Sequence, residues 1–228
     1  MIQNNILVNN NNSNNSLRFF TSLCNTEGLL QPSWGTGPAT FSRASAQYVT
    51  DFEGVTRKVE SESVAVEGSR VVTNLLTYSE DLSNAVWETS NGASKTDATT
   101  ISFSTGTDEN VRQSATLTGG AYNNTVIFTV TVSGTPGAAI QLRIMDNGGT
   151  YAQTLKAITL TATPTRYTVS HTCTQSVASV YFGFRSSNST TKTLIATRMQ
   201  AGVITGQSNT NPGEYVKTTS AAVSKCFA

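Results

Sequence analysis

Residues 125–133 read TVIFTVTVS. Val126, Phe128, Val130 and Val132 fall on every second position, with Ile127 and threonines between them. A period of two sends alternate side chains to opposite faces of a strand, and β-branched and aromatic residues suit a pleated, half-buried surface. The stretch reads as a strand whose Val126, Phe128, Val130 and Val132 face a core. Its neighbours repeat the pattern. TTISFS and VRQSATLT precede it; AIQLRIM, AQTLKAITL, TRYTVSHT, ASVYFGF and TLIATRMQA follow. Turn-forming residues separate them: TGG at 118–120, SGTPG at 133–137, DNGG at 146–149, TPT at 163–165 and SSNSTT at 186–191. About eight short strands spaced by roughly 8–12 residues predict an all-β jelly-roll β-sandwich, and nothing suggests βαβ units.

The bulk composition agrees. The chain has 228 residues, 37% hydrophobic and only 13% charged, with a formal net charge of +1. Thr, Ser and Asn replace apolar residues, whereas disordered chains replace them with charge and proline. No lysine or arginine run provides the footprint of a nucleic-acid or anionic-membrane surface. No apolar run approaches the ~20 residues of a membrane span. The start, MIQNNILVNN, lacks the basic and long apolar regions of a secretory signal. Cys24, Cys173 and Cys226 are odd in number and widely spaced. They are expected to be free thiols in a protein made in a reducing cytoplasm, so the sequons at Asn123 and Asn188 carry no meaning.

Upstream of the strand array the chain is different. Residues 1–38 read as an N-terminal arm and loop segment. Ile6, Leu7 and Val8 stand ahead of the Asn-rich tract 9–15 and have no local core to join. They are expected either to dock on another chain or to belong to a frayed terminus. QPSWGTGPATF sets Pro and Gly around Trp34, which marks loops. Residues 39–73 read as a short β-rich attachment segment with a DFEG turn, and 74–228 as the jelly roll. Between them, NLLTYSEDLSNAVW (74–87) reads as a short helical turn capped by Ser79. Glu80 and Asp81 would sit at its positive end, and Leu82 and Val86 on one face.

Three stretches carry a resemblance. VVTNLLTYSEDLSNAVW, the preceding ATFSRASAQYVTDFEGVTRKVESESVAVEGSRVV, and the closing MQAGVITGQSNTNPGEYVKTTSAA resemble tailed-bacteriophage virion proteins of the head-spike or head-fibre type. In those proteins such motifs bracket a carbohydrate-binding-module-like jelly roll; here the closing elements are Gln200–Gly202 and Tyr215–Thr219. The likeness covers about residues 39–222. It implies a non-enzymatic structural protein of the virion, made in the host cytoplasm. The expected role is capsid decoration, cement or head fibre, with the major capsid protein or another virion protein as partner and a homotrimer as the family-level expectation. The alternative is a tail-associated fibre or adhesin whose jelly roll binds a host-surface glycan.

Candidate chemistry is sparse. His171 and Cys173 share one strand face, but a nucleophilic pair needs a third, orienting group, and none is evident. Zinc needs three or four clustered ligands. Asp108, Glu109 or Asp146 could offer oxygen to calcium, but the spacing of a calcium loop is absent. No cofactor, metal or catalytic residue is expected. Sugar sites present aromatic rings beside polar groups. Trp34, Trp87, Tyr122 and Tyr151 are the candidates, with Trp87 better suited to the core. Ile6, Leu7 and Val8 are the expected capsid-attachment residues.

Overall fold

The computed structural model describes residues 44–59, 61, 68, 70–106, 108–147, 152–186 and 188–227. These residues form fourteen strands and no helix: β1 (Gln47–Thr50), β2 (Thr56–Val59), β3 (Arg70–Asn74), β4 (Glu88–Ser90), β5 (Ser94–Lys95), β6 (Thr100–Phe103), β7 (Glu109–Thr116), β8 (Thr125–Gly134), β9 (Ala139–Asp146), β10 (Gln153–Thr159), β11 (Thr165–Thr172), β12 (Ser179–Ser186), β13 (Lys192–Val203) and β14 (Val223–Phe227). They divide between two units, one of Thr73–Thr205 with Thr210–Val223, the other of residues up to Val72 with Gly206–Asn209 and Ser224 onward.

The larger unit is a jelly-roll sandwich of two five-stranded sheets. Sheet I runs β10-β9-β12-β7-β4 and sheet II runs β11-β8-β13-β6-β5. All of their pairings are antiparallel. Most connections cross from one sheet to the other, so strands adjacent in sequence rarely pair. The β8 alternation works as its sequence requires. Val126, Phe128 and Val130 are fully buried and Val132 is 2% exposed. Phe128 meets two rings from sheet I, Phe182 with centroids 6.2 Å apart and Phe184 at 5.8 Å, nearly edge-on. Such tilted contacts suit the ring quadrupole and join the sheets at mid-core.

The 75–87 segment departs from its expected form. It is a run of turns, not a helical turn. Leu76, Leu82 and Trp87 are buried as anchors, but Val86 is 38% exposed and shares no buried face with Leu82. Ser79 caps no helix. Its hydroxyl accepts from the Thr218 N–H at 2.9 Å and lies 2.8 Å from the Tyr215 hydroxyl. Long-range partners thus replace the local i→i−4 bonds. Leu82 N–H reaches Ala98 O, and Met199 N–H reaches Ser79 O.

Asn74 organises the same region. Its Nδ2 donates to Met199 O (2.9 Å) and Val216 O (2.8 Å), and its Oδ1 accepts from Leu76 N–H (3.2 Å) and Ala201 N–H (3.0 Å). A bulge between Thr197 and Gln200 breaks the β13–β8 register beside these groups. Bulges leave ladder groups unpaired, and here a side-chain amide satisfies them. Gln200 then fastens the following chain, donating to Pro212 O (3.0 Å) and accepting from Val216 N–H (2.8 Å). The Tyr215 ring faces the guanidinium groups of Arg198 and Arg166 at 5.2 and 5.8 Å. Segment 212–218 is therefore a strap against the outer side of sheet II.

In the smaller unit, β1 and β2 form a hairpin with Thr50 opposite Thr56. Asp51 organises its turn. Oδ1 accepts from the Glu53 and Val55 amides, Oδ2 accepts from Arg57 Nε at 2.6 Å and Arg70 at 3.2 Å, and Gly54 adopts the left-handed φ of 77°. Burial alone would raise the Asp51 carboxyl. Arg57, the two amides and Arg70 outweigh it and bring the pKa down to about 2.

Two outcomes follow from this packing. Phe128→Ala should cost roughly 3–5 kcal/mol in chemical unfolding, the range for a fully buried phenylalanine; a loss under about 1 kcal/mol would refute the assigned core face. Asp51 is expected near 3.8 when unfolded and about 2 when folded. Its contribution, about 2 kcal/mol, is therefore complete above roughly pH 4 and disappears as pH falls towards 2. The destabilisation caused by Asp51→Asn should shrink over that window when unfolding is followed at several pH values. A cost independent of pH contradicts the network.

Candidate functional site

The sequence-derived residues scatter. Ile6, Leu7, Val8, Trp34 and Tyr151 lie outside the described residues. Trp87 is 1% exposed, and its indole N–H donates to Tyr78 O at 3.2 Å. It offers no ring face to a ligand, because it is a core anchor. Tyr122 is 59% exposed but sits in the β7–β8 connection. Asp108, Glu109 and Asp146 do not converge. Asp108 meets Arg185, Glu109 Oε1 accepts from the Ser104 amide at 2.9 Å, and Asp146 lies beside His171.

The third group missing beside His171 and Cys173 is Asp146. It comes from the end of β9 in the opposite sheet, so no sequence spacing announces it. One donor atom each of Asp146, His171 and Cys173 lies within 4.8 Å of the others, all buried. Asp146 Oδ1 is 3.1 Å from His171 Nε2, and Oδ2 accepts from the Thr174 and Gln175 amides at 2.9 and 3.1 Å. His171 Nδ1 is 2.9 Å from the Thr154 hydroxyl. The donor types would suit a transition metal, yet each already has protein partners. Burial, then the Asp146 hydrogen bond and charge, push the Cys173 thiol up to about 12. A nucleophile or metal ligand needs the thiolate, and this environment opposes it. The cluster pins the end of β11 to β9.

The outer face of sheet I is built differently. Strand alternation that sends Val180, Phe182 and Phe184 inward turns Tyr181, Gly183 and Arg185 outward. Register aligns Gly183 with Arg143 of β9 on one side and Arg112 of β7 on the other, and Arg185 with Gln141 and Asn110. A Cβ at Gly183 would stand 2.1 Å from Val111 O and 2.7 Å from Arg112 Cα, so no side chain fits there. Bare backbone thus forms the floor between two arginines.

Arg112 lies over the Tyr181 ring at 4.1 Å and 3.4 Å from Glu88. Arg185 pairs with Asp108 and donates to Gln141 Oε1 at 2.7 Å. Arg143 donates to Asn110 Oδ1 at 2.7 Å and to the Met145 sulfur at 2.8 Å, while its Nε is buried without a partner. Burial, with the charges of Arg185 and Arg112, holds Arg143 below its ordinary pKa, and Asp108 acts in the opposite direction. Arg112, Arg143, Tyr181 and Arg185 are half-buried, and Ser114 and Thr116 are exposed. On sheet II, by contrast, the outward Ile127 and Thr129 are buried. Sequence reasoning missed this face. Its only trace is the polar half of the alternation in VYFGFR, with cations at Arg112 and Arg143.

No family model and no curated protein matches the chain. Among solved structures it is similar to a family 4 carbohydrate-binding module, at 13% identity and TM-score 0.41, covering 59% of this chain and 86% of that one. It is similar also to the CBM22-1 xylan-binding domain of Paenibacillus barcinonensis Xyn10C, at 13% identity and TM-score 0.42, covering 60% and 96%. A third is the enzymatically active domain of bacteriophage CBA120 tailspike protein 4, at 14% identity and TM-score 0.43. That match covers 57% of this chain and only 21% of the tailspike chain.

The thiol assignment is directly checkable. A value near 12 against an ordinary 9.0 leaves about a thousandfold less thiolate at pH 8. Iodoacetamide followed by peptide mapping should leave Cys173 unmodified in the native protein and label it fully in urea. Fast native labelling would contradict the buried cluster.

Proposed function

We propose that this chain is a non-enzymatic, glycan-binding protein of a tailed-phage particle, and that the outer face of sheet I is its ligand surface. The observation that carries the reading is the stacked Arg112–Tyr181 pair beside the side-chain-free floor at Gly183. An aromatic ring in a fixed pose, flanked by guanidinium, amide and carboxylate groups, is the chemistry that takes a sugar: ring against ring face, polar groups to hydroxyls. The acidic groups nearby do not suggest hydrolysis. Glu88 and Asp108 are each engaged by an arginine. At Asp108 burial is outweighed by the Arg185 contact, which holds the carboxyl below its ordinary range and suits a charge partner better than a general acid.

The virion setting rests on the sequence resemblance. Its two bracketing motifs are physically one lock, since Asn74 and Ser79 of the first bond to Val216 and Thr218 of the second. Capsid decoration through residues 1–16 is the second reading, favoured by the Ile6–Val8 cluster ahead of the Asn tract. Copy number in purified particles separates the two. Tens to hundreds of copies support decoration, and few support a tail adhesin.

Tyr181→Ala and Trp87→Ala should behave oppositely. Tyr181→Ala should keep the thermal unfolding transition and abolish binding on a glycan array. Trp87→Ala should lower stability by roughly 3–5 kcal/mol, as buried aromatic truncations do. Retained binding in a folded Tyr181→Ala variant would remove the ligand surface from this face.

A further inference from the structure

We infer that the sheet I face selects acidic sugars, with the Arg143 guanidinium receiving the sugar carboxylate. This rests on the reading of that face as the glycan surface. Three guanidinium groups, those of Arg112, Arg143 and Arg185, stand across adjacent strands in register around Gly183. Two carboxylates answer them, Glu88 to Arg112 and Asp108 to Arg185. Arg143 has no carboxylate within ion-pair distance among the described residues, so the face carries one cation in excess.

The donors of Arg143 are filled unequally. Nη1 has a good acceptor in Asn110 Oδ1. The opposite edge of the fork has Nη2 on the Met145 thioether and Nε on nothing. Sulfur is a weak acceptor, and a buried donor without a partner is costly. Nε and Nη2 together are the edge that grips a carboxylate through two parallel hydrogen bonds. A carboxylate arriving there displaces the flexible thioether, fills the orphaned donor and neutralises a cation that burial and two like charges disfavour and that Asp108 offsets only in part. A neutral hydroxyl does only part of this. Tyr181, one residue pair along β12 and 4.1 Å from the Arg112 guanidinium, is placed to carry the sugar ring.

The test is a glycan array probed with the full chain. It should carry sialylated oligosaccharides beside their desialylated forms, and uronate oligosaccharides beside carboxyl-reduced forms. The expected result is binding confined to carboxylated members, with removal or reduction of the carboxyl lowering the signal at least tenfold and added salt weakening it. Arg143→Gln should abolish the acid preference, and Arg143→Lys, which keeps the charge but loses the fork, should not restore it. Tyr181→Ala should lower binding to every member. Should Arg143→Gln not fold, Arg143→Lys alone decides, because full acid preference in that variant overturns the bidentate contact. Equal binding of acidic and neutral partners overturns the inference and leaves the glycan face standing. No binding to any member overturns both.

Discussion

The larger unit depends on a single saturated amide. Asn74 has two donor and two acceptor positions, and all four are occupied by backbone groups from three separate stretches. A wholly buried amide is tolerable only when satisfied in this way. Its satisfaction requires the β13 bulge, the turn at Leu76 and the strap at Val216 to be in place together. Ser79 adds a second tie between the same stretches. The 74–87 segment is therefore held by tertiary bonds rather than by helical propensity, and Glu80 belongs to that system through Lys217 at 2.7 Å. The carboxylates there have a structural explanation and need no catalytic one.

This arrangement makes the two outer faces unequal. The strap and its Tyr215 lie against sheet II, where Arg166 is pushed to about 10 by burial and by the neighbouring Arg198. On sheet I, Arg112, Arg143, Tyr181 and Arg185 stay half-exposed, while Asn110 and Met145 beside them are buried, with the Phe128 contact to Phe182 and Phe184 directly beneath. Rigid packing below and polar groups above give the arginines fixed positions, which is what preorganised recognition requires.

Much of the fold is legible in the chain. Each of the eight stretches from TTISFS to TLIATRMQA overlaps one of the strands β6–β13 over most of its length, because a buried face leaves a period of two. The short β4 and β5 carry too few residues to show a period. The helical turn was misread because Ser79, Glu80 and Asp81 match a cap locally, while the partners that overrule it lie about 140 residues away. The site is harder to read for the same reason. Tyr181 and Arg185 share a strand, but Arg143 and Arg112 join them only through antiparallel registers that sequence does not print. The Asp146–His171–Cys173 cluster likewise needs the two sheets to be packed before its third member appears.

Strand alternation has a further consequence for how such a domain diversifies. Tyr181 and Arg185 turn outward while Phe182 and Phe184, their immediate neighbours, hold the core. Substitutions at the outward positions leave the sandwich interior untouched, so the chemistry of the outer face and foldability are inherited almost independently. Gly183 is the exception, fixed by the β7 backbone beneath it. A lineage under pressure to change what this face contacts would be expected to vary Arg112, Arg143, Tyr181 and Arg185 freely around an invariant glycine and an unvarying aromatic layer.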